Sequence, residues 1–412
     1  MKFKKLIPSL CLAGVLLSLA GILFAPALAS LGMILCLFCG VLSLKHAQRE
    51  EYLSLVPGAL LVLWLVCASL LNHWTTDSTR LLLLKLPLLL LPLLAIALKN
   101  LHRVHIYWAL TAWVWLLYAA AVASFWIYLG DAAWYHQLVL ESKPMPVLAR
   151  MHHIEFSLYL AASVWAGFAL WRLDLGPKWM NQLRWFTLAA AGINLVMLHL
   201  LSARTGLLAF YAGSTLWMLW AFRHQWKRMI WSALTLLLML LMGGLLVPSL
   251  RNRLVNTVED FNTVTQNQDP NDKSFAQRWE AWKAAKLLIM EHPLMGLGMK
   301  ELATVMSAAH ESTGSKVLPW NRKLPHNQYL ETGIQGGLLA MVLLLISLFL
   351  WVRTALKNAH LFLLAMAGMA VTAFVFESLL EQQSGVMLCT LLPILAFYSD
   401  LQQNKRDEPL HR

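Results

Sequence analysis

The sequence predicts an all-α polytopic membrane protein of about 12 transmembrane helices, with a large outer loop carrying an amphipathic helix. Three observations carry that reading. Of the 412 residues, 59% are hydrophobic and only 13% charged, and mean hydropathy is +0.59, which excludes an ordinary pair of soluble domains. Apolar runs such as LLLLKLPLLLLPLLAIAL (81–98) and MIWSALTLLLMLLMGGLLV (229–247) have the length a helix needs to cross roughly 30 Å of hydrocarbon. The cations between such runs gather in alternate connections, as in multi-pass proteins.

Taken in order, the first run (6–24) follows MKFKK and also fits a signal peptide, because LASLG near 28–32 offers small residues. It is read as a retained span, since the charge alternation closes only if it stays. Runs at 28–44, 54–71, 81–98, 106–129, 154–171, 185–201, 205–222 and 229–247 bring the count to nine, and 330–352, 360–376 and 384–399 complete twelve. The expected organisation is 1–247 with spans one to nine, 248–328 as a loop domain, and 329–412 with spans ten to twelve and a tail. All five cysteines, Cys11, Cys36, Cys39, Cys67 and Cys389, fall inside apolar runs. Cys36 and Cys39 make a CxxC, but no second pair or nearby histidine completes a zinc set, so packing roles and no structural disulfide are expected.

With the N-terminus inside, the inner segments carry Lys2, Lys4, Lys5, Lys45, Arg49, Lys99, Arg103, Arg172, Lys178, Arg184, Arg223, Lys227, Arg228, Arg353, Lys357, Lys405, Arg406 and Arg412, whereas the short outer segments carry Arg80, Lys143, Arg150 and Arg204 alone. The positive-inside rule then puts both termini in the cytoplasm. The net charge of +12 is accounted for by these topology determinants facing anionic membrane lipids, and implies no nucleic-acid partner.

Two connections break the rhythm, 130–153 and about 248–328, both outside. Connections as long as the second are commonly functional. Its first part, LVNTVEDFNTVTQNQDPNDKS (254–274), reads as polar and turn-rich, the least regular part of the loop. Next, QRWEAWKAAKLLIMEHPLMGLGMK (277–300) sets Trp279, Trp282, Ala285 and Ile289 at helical spacing before a Pro-Gly stop. That amphipathic helix suits either the headgroup layer or packing on other spans.

A charge near hydrocarbon costs about 3 kcal/mol on insertion scales, so each one there is a functional candidate. Arg204 sits in HLLSARTGLLAFYAG (199–213), a turn with almost no hydrophilic loop; the bland reading is a snorkelling side chain. Arg278 opens the amphipathic helix and is otherwise a surface cation. Lys85 lies within span four with no partner legible. Arg150 begins RMHHIEF (150–156), but HHxE lacks the i, i+4 histidine pair of a helical zinc site. FESLLEQQSG (376–385) sets Glu377 and Glu381 at i, i+4 on one face, at an outer turn between spans eleven and twelve, where they hold an arginine or are solvated. His326, with Asn327 and Gln328, stands at the threshold of an apolar span whose Gly333, Gly336 and Gly337 permit close helix approach.

Three stretches together, SARTG (202–206), RWEAWKAAKLLIMEHPLMGLG (278–298) and PHNQYLETGIQGGLL (325–339), resemble the O-antigen ligase family of lipopolysaccharide assembly, whose signature is shared by O-antigen polymerases and some protein O-oligosaccharyltransferases. The resemblance implies a GT-C type glycosyltransferase in the bacterial inner membrane with a periplasmic site. It would move polysaccharide from undecaprenyl pyrophosphate to a sugar hydroxyl of lipid A-core, with inversion and without metal or cofactor. Carried onto this chain, the residues at stake are Arg204, Arg278 and His326. Paired guanidinium donors suit a diphosphate leaving group, and histidine, a residue type that titrates near pH 6.5, suits proton acceptance from the attacking hydroxyl. Asn327 and Gln328 would orient the ring or the acceptor sugar, and Arg150 and Glu377 are further candidates for substrate binding. The competing readings are a polymerase, a protein oligosaccharyltransferase and, from another class, a transporter, which no inverted repeat or pair of broken helices legible in the sequence supports.

Overall fold

The computed structural model describes the chain except residues 1, 45–51, 53, 141–142, 144, 149, 174–177 and 408–412. Of the inward cations above, Lys45, Arg49 and Arg412 thus lie outside the described residues. Among those described, the regular elements are all helical.

The predicted runs coincide with α1 (Lys2–Phe24), α2 (Pro26–Ser43), α3 (Val56–Leu71), the pair α4 (Thr76–Leu89) and α5 (Leu91–Lys99), and α6 (Arg103–Gly130). After α7 (Ala132–Leu140) come α8 (His153–Arg172), α9 (Lys178–Leu201), α10 (Arg204–Ala221) and α11 (Trp226–Leu246). The outer segment folds as α12 (Pro248–Thr265), α13 (Ser274–Glu291) and α14 (Ala303–Ser312), and α15 (Gln328–Lys357), α16 (Leu361–Phe376) and α17 (Gln383–Asp407) close the chain. Seven helices are long and apolar enough to cross a membrane, or eight if the bent pair α4–α5 is one span. The protein is therefore multi-pass, but length and composition support fewer spans than the twelve expected. At 16 residues, α3 and α16 are only about 24 Å long at 1.5 Å per residue.

The core runs along α8, which packs on α6 and on α16, and its large fully buried side chains include Tyr107, Trp113, Phe156, Tyr159 and Phe374. By contrast α11 buries almost none of its surface, as befits a helix whose neighbours are acyl chains as apolar as its leucines. The cysteines are free; all but Cys67 are buried.

Two helices are broken, a feature the sequence reading did not anticipate. The bend of 41° between α4 and α5 follows Pro87, whose ring removes a donor and crowds the preceding turn. In α15 the break is at Gly337 (φ 68°, ψ −166°), and the loop after α13 crosses it: Leu297 N donates to Ile334 O (2.7 Å), Gly298 N to Gln335 O (2.9 Å), and Leu338 N to Pro293 O (2.8 Å). The groups freed by the break are thus paired by protein, as burial requires. A Cβ on Gly337 would stand 2.4 Å from Leu294 O, and one on Gly296 2.5 Å from Ile334 O. The PLMGLG turn and the glycine pair are one joint.

The expectation of an irregular 254–274 is corrected by α12, which runs through most of it; only about 266–273 is turn. Low helix propensity is overridden by tertiary contacts. Asp260, 2% exposed, is tied to α10, and the Thr263 and Thr265 hydroxyls donate to carbonyls one turn back. For α13 the packing alternative holds. Ala281, Ala284, Ala285, Leu288 and Ile289 are buried against Leu302, Met306 and Ile334, and Trp279 is left exposed.

Candidate active site

The ends of α8, α10, α12, α13 and α16 and the turn before α15 enclose a cavity of about 620 Å³. These are the helix ends that the charge count assigns to the outer side. Arg204 is the first residue of α10, after a turn in which Ser202 takes φ 51°. Its Nη1 donates to Asp260 Oδ2 (3.1 Å), and the same oxygen accepts from Phe275 N (3.2 Å). One buried carboxylate therefore fastens α10 to α12 and to the start of α13. The Arg204 Nε is buried without a partner among the described residues.

Arg278 lines the cavity from α13: Nη1 donates to Phe376 O and Nη2 to Glu377 Oε1, each at 2.9 Å. Glu377 ends α16 in extended conformation, and its other oxygen stands 3.5 Å from His326 Nδ1. Burial works to raise the Glu377 pKa, but the His326 hydrogen bond and the Arg278 charge outweigh it and hold the carboxyl below its ordinary range.

His326 itself adopts φ 45°, a left-handed conformation that costs a non-glycine residue on the order of 1–3 kcal/mol and persists only where neighbours enforce it. On one side Trp282 Nε1 donates to Pro325 O (2.8 Å). On the other, Asn327 caps α15, its Oδ1 accepting from Leu330 N (3.1 Å). The imidazole is left 40% exposed. Three groups from distant parts of the chain, Arg204, Arg278 and His326, thus line one chamber.

Residues 189–345 match the O-antigen ligase family. No curated protein matches the chain. The O-antigen ligase segment covers less than half of the chain, from α9 into α15, and contains Arg204, Asp260, Arg278, Lys323 and His326. Glu377 and the cavity residues His152 and His153 lie outside it. The match supports a membrane glycosyltransferase of O-antigen ligase or polymerase type.

The other candidates are placed differently. Asn327 and Gln328 do not line the cavity. Besides the cap, Gln328 is fully buried; its Oε1 accepts from Leu380 N (2.7 Å), and its Nε2 donates to Thr332 (3.2 Å) and Glu381 (3.4 Å). These Gln328 bonds brace the Leu379–Glu381 turn that follows Glu377. Arg150 lines a smaller neighbouring cavity of about 130 Å³ with Glu155 and Gln382. Glu377 and Glu381 do not share a helical face: the chain is extended at Glu377 and forms a 3-10 turn at Leu379–Glu381, so Glu381 faces Lys85 at 2.6 Å instead. That is the partner the sequence could not name for Lys85. His152 and His153 line the main cavity, but no group of three His, Cys, Asp or Glu among the described residues is arranged to hold a metal ion.

His326 and Glu377 also line a second cavity of about 270 Å³, with Arg80, Lys300, Glu331 and Gln335. It shares Arg80, Leu81 and Glu381 with an apolar groove along α2, α4 and α17. Sequence reasoning missed Lys323, a cavity-lining residue, because a lysine in a polar loop carries no signal of its surroundings.

Proposed function

We propose that the protein transfers O-antigen polysaccharide from undecaprenyl pyrophosphate to a sugar hydroxyl of lipid A-core, on the periplasmic side of the bacterial inner membrane, by a metal-independent inverting displacement. The observation that carries this reading is the line Arg278–Glu377–His326, in which one carboxylate ties an anion-binding guanidinium to a proton-accepting imidazole. The acceptor hydroxyl oxygen attacks the anomeric carbon. The bond from that carbon to the diphosphate oxygen breaks, and its electron pair leaves with undecaprenyl pyrophosphate. The hydroxyl proton passes to His326 Nε2, while Glu377, facing Nδ1, stabilises the imidazolium. A single displacement of this kind inverts the anomeric centre.

Arg204 and Arg278 meet the negative charge that develops on the leaving group, and such contacts are typically worth about 3 kcal/mol each. Each guanidinium has five N–H donors. Arg204 spends one and Arg278 two on protein, which leaves donors for phosphoryl oxygens. Cavities on both sides of His326 and Glu377 give a donor and an acceptor separate approaches to the same base.

The test is transfer from purified undecaprenyl-pyrophosphate glycan to purified lipid A-core, with and without EDTA. Wild type should form product insensitive to EDTA, and Arg204→Ala, Arg278→Ala and His326→Ala should each lose about a hundredfold or more in rate. EDTA-sensitive product, or full activity of His326→Ala, contradicts the mechanism. Lengthening of the lipid-linked glycan with no transfer to lipid A-core assigns the protein as a polymerase.

A further inference from the structure

The main cavity is lined by three Lys or Arg side chains, Arg204, Arg278 and Lys323. Two of them already face a carboxylate, Asp260 at 3.1 Å and Glu377 at 2.9 Å. Lys323 makes no side-chain hydrogen bond or ion pair among the described residues. With each arginine neutralised by its partner, the positive field that draws in an anion falls to the lysine, apart from any histidine that is protonated.

Lys323 is also well placed. Its neighbour Arg322 is clamped to Ser307 Oγ (2.8 Å) and Glu311 (2.7 Å), and Pro325 is held by Trp282. The root of the side chain is therefore fixed three residues before His326. Burial, then the charge of Arg278, lower the Lys323 pKa, while Asp260 acts in the opposite sense. The ammonium is thus half-buried within electrostatic reach of both arginine–carboxylate pairs. A protein seldom desolvates an ammonium without a counter-charge, and an incoming anion supplies one.

We infer that Lys323 is a third diphosphate-binding residue, which holds the pyrophosphate of the donor between Arg204 and Arg278. This rests on the proposed transferase reading for the identity of the donor, but not for the chemistry of the ligand. Lysine is a point charge without the geometric demands of guanidinium, and the donor's diphosphate is already anionic before its bond to the sugar breaks, so most of the lysine's contribution is made in the ground state as well as in the transition state. Loss of such uniform binding raises KM and leaves kcat unchanged.

The experiment uses the purified full-length protein and two readouts: binding of inorganic pyrophosphate by calorimetry, and transfer kinetics with the lipid-linked donor. Lys323→Met should weaken pyrophosphate binding about tenfold, raise the donor KM by a similar factor and leave kcat within about twofold. Lys323→Arg, which keeps the charge, should restore most of the binding. An unchanged pyrophosphate Kd in Lys323→Met, or no binding by wild type, overturns the inference. So does a loss in Lys323→Met that Lys323→Arg does not repair, since that marks a structural role. Absence of transfer by wild type with normal pyrophosphate binding instead removes the transferase reading and leaves the lysine assignment intact.

Discussion

Glu377 accepts from Arg278 with one oxygen and faces His326 with the other. Replacing it by glutamine keeps the shape but removes the charge that orients the guanidinium and supports an imidazolium, and kcat should fall about a hundredfold with a smaller change in KM. Stability should follow. Because the folded-state carboxyl lies below its ordinary value of 4.5, its contribution is present above that value and disappears as pH falls through the lowered one. The melting temperature of wild type should exceed that of Glu377→Gln at pH 7, and the gap should close below pH 4.5; a gap that widens on acidification would contradict the assignment. At this scale Arg204 stood out as a costly charge at a membrane boundary, whereas Arg278 and His326 became candidates through the stretches that resemble the O-antigen ligase family. The sequence left Asn327 and Gln328 ambiguous. A polar side chain beside a histidine looks the same whether it faces a substrate or caps a helix, and here Asn327 caps α15 while Gln328 braces the outer turn.

Elements meet at the break in α15. The glycine pair was legible as a site of close approach, but not as an interruption, since both need the same residue. What distinguishes them is the PLMGLG turn lodged in the gap, with its carbonyls and amides paired to α15. Gly337→Ala would force a side chain into φ 68° and against Leu294 O. It should lower stability by more than about 1 kcal/mol and disturb the α15 N-terminus, so both melting temperature and transfer rate should drop. Gly314→Ala is the control: it also has positive φ but meets nothing within 4 Å. It should be destabilised and keep its activity. The helix α12 carries a related lesson. Its polar composition argues against regular structure, and a buried aspartate bonded to Arg204 and to the start of α13 argues more strongly for it.

For the whole molecule, the proposed orientation puts the cavity and α12 to α14 in the periplasm and both termini in the cytoplasm. Alkaline phosphatase fused after Leu140 or Ser312 should be active, and after Arg223 or Asn358 inactive; the opposite pattern would place the site on the wrong side for a lipid-linked donor. The sequence by itself determined that this is an all-helical membrane protein and where its apolar helices lie, because hydrophobic length is a property of single segments. That α12 is a helix, that Lys85 pairs with Glu381, and that Arg204, Arg278, Lys323, His326 and Glu377 share one chamber were decided only by the tertiary structure. Such pairings join residues far apart in the chain; no local preference selects them, and once packing has buried a charge it is the unpaired state that costs most.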